Sequence, residues 1–251
     1  MKEELTAKIN AADIAPELKM ALNRFVDVVE QTLPRIPAGS RYRAAFLLNR
    51  LVTEATSEDP DILWWEAAID LITKYVGDQG IDGQPVLEAA GQLITLLQRR
   101  LPPSGEVTLQ EITAETVVGI CLLSDTLTEP KKNHVAPNDF SLAQAHFDPH
   151  AWFRAIYAGK APVGFVMMVD NDQEQEYFVW RFMIAEPYHG RGYGRQALER
   201  LVEYVKTRPG ARELLVSCTQ GDGSPEGFYV KCGFEPTGDK MGNEVVLRLT
   251  L

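Results

Sequence analysis

The chain has 251 residues, 45% hydrophobic and 24% charged, the make-up of a folded globular protein rather than a disordered, collagen-like or coiled-coil one. Against 25 Lys and Arg stand 35 Asp and Glu, a net charge of -10 at pH 7, which disfavours nucleic acid and anionic membranes as partners and favours cations. Cys121, Cys218 and Cys232 are an odd set without Cys-x-x-Cys spacing, so neither a disulfide framework nor a thiolate metal site is expected.

The chain begins on the acidic run Met1 to Leu5, and no uncharged apolar stretch approaches the ~18 residues of a membrane span. A cytoplasmic protein is expected. Leu18, Leu22, Phe25, Val29 and Leu33 then step by four and three, predicting an amphipathic helix; Ala44, Leu47, Leu51 and Ala55 predict a second, capped by Ser40. Asp59 and Pro60 suit the cap and first turn of a third, which carries Trp65, Ile69, Ile72 and Val76 and stops at Gly77. Trp64 and Trp65 point about 100° apart on it, one toward a core and one toward an interface. Val86, Ala90, Ile94 and Leu97 mark a fourth helix. Short connectors make an antiparallel helical bundle of residues 1–101 the economical reading.

Pro102 and Pro103 beside Ser104 and Gly105 break the helical pattern, and a second domain is placed at 106–251. Its order is mixed α/β: a strand through Val107 and Leu109, a helix over 114–124, a polar loop over 126–141, and three strands at 152–157, 163–169 and 177–184, the last two joined by the turn 170–173. A helix over 195–205, a strand over 213–218, a short helix over 225–231 and a final strand through Val245, Leu247 and Leu249 follow.

The segment 183–198 runs from strand through a turn bearing Gly190, Gly192 and Gly194 into a helix. Glycines there let the backbone approach a ligand and aim free N–H groups at an anion such as a pyrophosphate. The spacing is not that of a dinucleotide-binding fingerprint, and no Gly-x-x-x-x-Gly-Lys-(Ser/Thr) run is present. About thirty residues on, Phe228, Tyr229, Lys231, Gly233 and Phe234 form a second motif after a strand.

With these two motifs the region 107–251 resembles the GNAT superfamily of acetyl-CoA-dependent N-acetyltransferases, which pairs a (Gln/Arg)-x-x-Gly-x-(Gly/Ala) turn with a later Phe-Tyr-x-Lys-x-Gly-Phe helix. His189 stands where Gln or Arg is usual. The segments 135–138, 152–157, 162–165, 180–183 and 223–226 look like the bacterial branch of spermine/spermidine (diamine) acetyltransferases. The resemblance implies a GNAT acyl-CoA acyltransferase fold, a mixed central sheet flanked by helices, preceded here by the all-α bundle. It implies acetyl transfer from acetyl-CoA to a primary amine, a polyamine or another cationic small molecule.

By the same resemblance, backbone groups near Met183 and Ile184 align the pantetheine arm. N–H groups from Arg191, Gly192, Tyr193, Gly194 and Arg195 hold the pyrophosphate. Tyr229 is the proton donor to the leaving thiolate, and with an unperturbed phenol the rate would fall near pH 10, the usual tyrosine value. Counting back nine residues from His189, where related polyamine enzymes carry a Glu, reaches Trp180, which cannot accept a proton; no base is assigned, with Glu176 or a water relay as alternatives. Asp125, Glu129, Asp139 and Asp148 fall where an acceptor amine would be drawn in, and Lys131 and Lys132 where a cofactor phosphate could be reached.

His146 and His150 have the spacing of a metal pair, but Pro149 between them argues against one helix, and no metal is expected. A second reading is a catalytically weak acetyl-CoA-binding sensor or scaffold whose helical domain engages a protein partner. In either case that domain is a candidate surface for a homodimer or a protein partner.

Overall fold

In the computed structural model, which describes residues 1–56, 62–77, 83–98 and 106–251, the chain divides into two units, residues 1–104 and 105–251. The first is helical: α1 (Lys2–Ala11), α2 (Pro16–Thr32), α3 (Ala38–Ala55), α4 (Ile62–Gly77) and α5 (Gln84–Gln98). The stripe Leu18, Leu22, Phe25 and Val29 is buried, as are Ala44, Leu47, Leu51 and Ala55, so the spacing that predicts each helix also selects the face it hides. Helix α2 packs against α1 and α5, α3 against α1 and α4, and α4 against α5.

Two expectations change. Helix α1 is a fifth helix, hidden in the sequence because only Leu5 and Ile9, one turn apart, are buried along it. Ser40 lies inside α3, which starts at Ala38 after Pro37 and has no side-chain cap. Gly77 does end α4, while Asp59, Pro60 and the break at 101–105 lie outside the described residues. Trp65 is fully buried; the Trp64 side chain lies outside the described residues.

The second unit is built on seven strands: β1 (Val107–Gln110), β2 (Ala151–Ala158), β3 (Ala161–Asn171), β4 (Glu176–Ile184), β5 (Glu213–Thr219), β6 (Glu235–Met241) and β7 (Glu244–Thr250), in the order β1-β2-β3-β4-β5-β7-β6. Four helices accompany them: α6 (Val117–Leu123), α7 (Asn138–Ala145), α8 (Tyr193–Lys206) and α9 (Glu226–Lys231). Strand β3 is apolar from Val163 to Met168 and buried along that length, as a strand covered on both faces must be.

The polar stretch read as a loop over 126–141 contains the start of α7, whose first turn is Asn138, Asp139 and Phe140. Fully buried Asn138 fixes it, donating from Nδ2 to the Ile120 carbonyl at 2.7 Å and from its amide to Ser124 Oγ at 3.1 Å. Strand β6 was also not expected; it is an exposed edge carrying Pro236, Gly238, Asp239 and Lys240, residues that blunt an edge and erase any apolar alternation. The helix expected over 114–124 is confined to α6. Among the described residues no helix is long and apolar enough to cross a membrane.

Candidate active site

Strands β4 and β5 run parallel and pair only through Phe178 with Leu215 and Val179 with Val216. Beyond Val179 the two diverge, and the opening is the structural origin of the site. A bulge adds to it: Met168 faces Val179 and Met167 faces Arg181, leaving Trp180 as the extra residue. Such a bulge bends its strand and re-aims side chains.

Two cavities flank the opening and share His134, Val135, Phe182 and Pro225 in their walls. The first, of about 510 Å³, is lined by Met183, Ile184, Gly192, Tyr193, Gly194 and Arg195. Six of the seven residues expected to meet the cofactor therefore surround one space; Arg191 is not among its lining residues, and its guanidinium lies 5.8 Å from the Tyr188 ring centre. Met183 and Ile184 point to opposite faces, as neighbours on a strand do. The Met183 sulfur lies 3.8 Å from Asn138 Nδ2, whereas Ile184 faces α8, where a Cβ on Gly194 would meet it at 3.5 Å.

Gly192 caps α8 with a left-handed φ of +83°, and no side chain caps the helix. The first amides of α8 therefore have no acceptor within the helix and open on the cavity. A Cβ at Gly190 would meet nothing within 4 Å, so backbone approach is unobstructed. This arrangement fits an anionic pyrophosphate.

At the rim, Lys131 is ion-paired with Glu186 and lies 3.4 Å from His189 Nδ1, whose Nε2 is 2.6 Å from the Ile184 carbonyl oxygen. Burial alone would raise the Glu186 carboxyl, but the Lys131 ammonium, the Thr128 amide and His189 outweigh it and hold it below the usual carboxylate range. His189 thus folds back on the end of β4. Lys131, though not Lys132, lines the cavity.

The second cavity, of about 740 Å³, is lined by Trp180, Arg181, Ser217, Tyr229 and the acidic residues Asp148, Glu176 and Glu244. Of the loop acids singled out from the sequence, Asp148 is in this wall; Asp125, Glu129 and Asp139 are not. Glu244 accepts the Ser217 hydroxyl. His134 is engaged at both ring nitrogens, Nδ1 with Thr219 Oγ1 at 2.5 Å and Nε2 with the Asp222 carbonyl at 2.8 Å, so it braces the shared wall.

Phe228 lines the first cavity and Tyr229 the second. Tyr229 is 4% exposed, packed edge-on against Phe228 and Phe234. Burial, reinforced by the Cys218 and Cys232 thiols, pushes its phenol well above the usual tyrosine range. Any limb this phenol gives a rate profile therefore lies above the pH of about 10 expected of an unperturbed tyrosine. His146 and His150 stand apart, one after α7 and the other before β2, and the described residues hold no cluster able to take a metal ion. Lys131, Glu186, His134 and Glu244 gained no structural role from the sequence, because each acts through partners far along the chain.

Residues 120–234 match the family described as the acetyltransferase (GNAT) family. None of the curated proteins matches the chain. Among solved structures, an acetyltransferase from Thermus thermophilus shares 20% identity and a TM-score of 0.46, covering 58% of this chain and 97% of its own. The Salmonella typhimurium acetyltransferase that modifies the N-terminal serine of ribosomal protein L7/L12 shares 12% and 0.50, covering 60% and 98%. The PaiA N-acetyltransferase of Thermoplasma acidophilum, in complex with coenzyme A, shares 12% and 0.47, covering 58% and 99%. At these identities the likeness is one of fold. Within the second unit and its mixed seven-stranded sheet, residues 120–234 carry an acetyltransferase domain of the GNAT family, which uses acetyl-CoA.

Proposed function

We propose that this domain transfers the acetyl group of acetyl-CoA to the primary amine of a cationic small molecule, polyamines being the first class to test. One observation carries the reading. The uncapped start of α8 opens on one cavity, and Tyr229 with Asp148, Glu176 and Glu244 lines the other, across a shared wall.

The amides of Gly192, Tyr193, Gly194 and Arg195 hold the pyrophosphate, and the Met183–Ile184 backbone aligns the arm that follows it. When bound, acetyl-CoA supplies an acetyl group activated as a thioester. The acidic residues of the second cavity draw in an ammonium group, which gives up a proton to water before its nitrogen attacks the thioester carbon and the C–S bond breaks; holding the two reactants across one wall supplies much of the rate. Tyr229 donates a hydrogen bond and a proton toward the departing sulfur; its raised pKa keeps the donor form present at every working pH.

Free thiol released from acetyl-CoA, measured with and without spermidine, putrescine and simple primary amines, tests the reading. Amine-dependent release is expected. Tight acetyl-CoA binding with no release above the amine-free rate for any primary amine, amino acids included, would overturn it.

A further inference from the structure

Arg181 is a cation in the wall of the acceptor cavity that its own surroundings do not neutralise. Its NH1 donates to the Trp180 carbonyl at 2.8 Å and its NH2 to Gln144 Oε1 at 3.0 Å, both neutral acceptors, and its Nε is buried with no acceptor. The guanidinium lies 5.3 Å from the Trp180 ring centre, a further neutral contact. Among the described residues no carboxylate comes within ion-pair distance of it. Burial lowers its pKa, only partly offset by the charge of Glu244, whose carboxylate accepts the Ser217 hydroxyl.

A guanidinium has five N–H donors in a planar fork suited to a carboxylate. Here two are used and the Nε–H is buried away from solvent, which leaves one N–H on each terminal nitrogen for a ligand, and Arg181 lines the cavity in which Asp148, Glu176 and Glu244 also stand. The wall therefore offers one incompletely compensated positive charge among several negative ones, a pattern complementary to a zwitterion. We infer that the acceptor carries a carboxylate as well as its amine, an amino acid rather than a simple amine, and that Arg181 binds that carboxylate.

The inference rests on the reading above of acetyl transfer to a primary amine, and puts a zwitterion that bears such an amine in place of a purely cationic acceptor. The bulge at Trp180 is what makes it structurally sensible, because it places both Trp180 and Arg181 in the cavity wall. A purely structural Arg181 would tie β4 to α7 through Gln144 and would make no distinction between acceptors.

Matched pairs differing only in the carboxylate test it on the full chain: lysine with cadaverine, ornithine with putrescine, phenylalanine with phenethylamine, methionine with 3-(methylthio)propylamine. Thiol release gives kcat/KM for each, and calorimetry in the presence of coenzyme A gives Kd without turnover. For at least one pair the amino acid is expected to be favoured about 10- to 100-fold in both measures, the worth of a charge-assisted hydrogen bond. Arg181→Met should collapse that ratio toward one, and Arg181→Lys should restore part of it.

Should the Arg181 variants fail to fold, the wild-type ratios still decide. Amines turned over as well as or better than their amino acids would overturn the inference and leave the amine reading intact. No thiol release with any member of any pair, or with the polyamines, would overturn both. An amino-acid preference unaltered in a folded Arg181→Met protein would remove Arg181 from carboxylate binding.

Discussion

A Cβ on Gly164 would sit 2.3 Å from the Met183 carbonyl oxygen. Gly164 pairs with Ile184 across β3 and β4, so its missing side chain is what lets the end of β4 come close at the point where the cofactor arm is to be aligned. The neighbouring methyls of Ile184 and Ile156, at 2.9 and 3.2 Å from the same position, leave no direction of escape. Gly164→Ala should therefore displace β4. The melting temperature is expected to fall by about 2–12 °C, from overpacking of about 1–3 kcal/mol, with weaker acetyl-CoA binding. Unchanged melting and unchanged binding, read by differential scanning calorimetry and titration, would contradict the close approach.

Gly192 differs in kind, because there is room around it. The nearest atom a Cβ would meet is Gln196 Nε2 at 3.9 Å, and the constraint is the φ of +83°. A β-branched residue resists that conformation at a cost of about 1–3 kcal/mol and would project beside the amides that open on the first cavity. Gly192→Val is expected to fold, by circular dichroism, and to lose acetyl-CoA affinity by about tenfold or more. Wild-type affinity in the folded variant would remove the pyrophosphate from this turn.

Away from the site, Tyr204 on α8 donates its hydroxyl to Asp170 Oδ2 at 2.5 Å, and Arg208 Nε donates to Oδ1 at 2.9 Å. Burial first, then the bond to Asp170 and its charge, push the Tyr204 phenol up to about 12. A raised pKa means the phenol's stabilising contribution is fully present below the unfolded value of about 10 and is lost as pH rises through about 12. Tyr204→Phe should cost about 1 kcal/mol at neutral pH, a fall in melting temperature of about 2–4 °C. The gap from wild type should hold to about pH 10 and narrow above it. A gap that instead widens with pH would reverse the assigned sign.

The parts of the fold that bury apolar stripes were legible as sequence. The helix faces of α2 and α3 and the central strands β2 to β4 declare themselves because one period decides both conformation and burial. Helix α7 and strand β6 did not, since the first is held by one buried asparagine and the second is a polar edge. Of the site, the Gly-rich turn was readable because Gly190 and Gly192 adopt conformations few other residues take. The acceptor wall was not. Trp180 entered the sequence analysis as a missing base and as the first residue of the segment 180–183, and no periodicity reveals a bulge that places it and Arg181 together. The Lys131–Glu186 pair joins residues 55 apart, a contact that local pattern cannot supply.

Tyr229 carries the sharpest test of the chemistry. Replacing it with Phe removes one hydroxyl and keeps the ring that packs against Phe228 and Phe234, so acetyl-CoA binding in the first cavity should persist. If the hydroxyl serves the departing sulfur, kcat should fall by about 10² to 10⁴. The pH profile adds an independent reading. Because burial raises the phenol above its usual range, the donor form is retained through pH 10 and is lost only at higher pH. The wild-type rate should therefore show no descending limb near pH 10 that the Phe variant lacks. Such a limb would mean that the phenol titrates at its ordinary value of about 10 and is solvated when substrates are bound. A Phe variant with wild-type kcat, measured where chemistry limits turnover, would leave Tyr229 as a packing residue of α9 and nothing more.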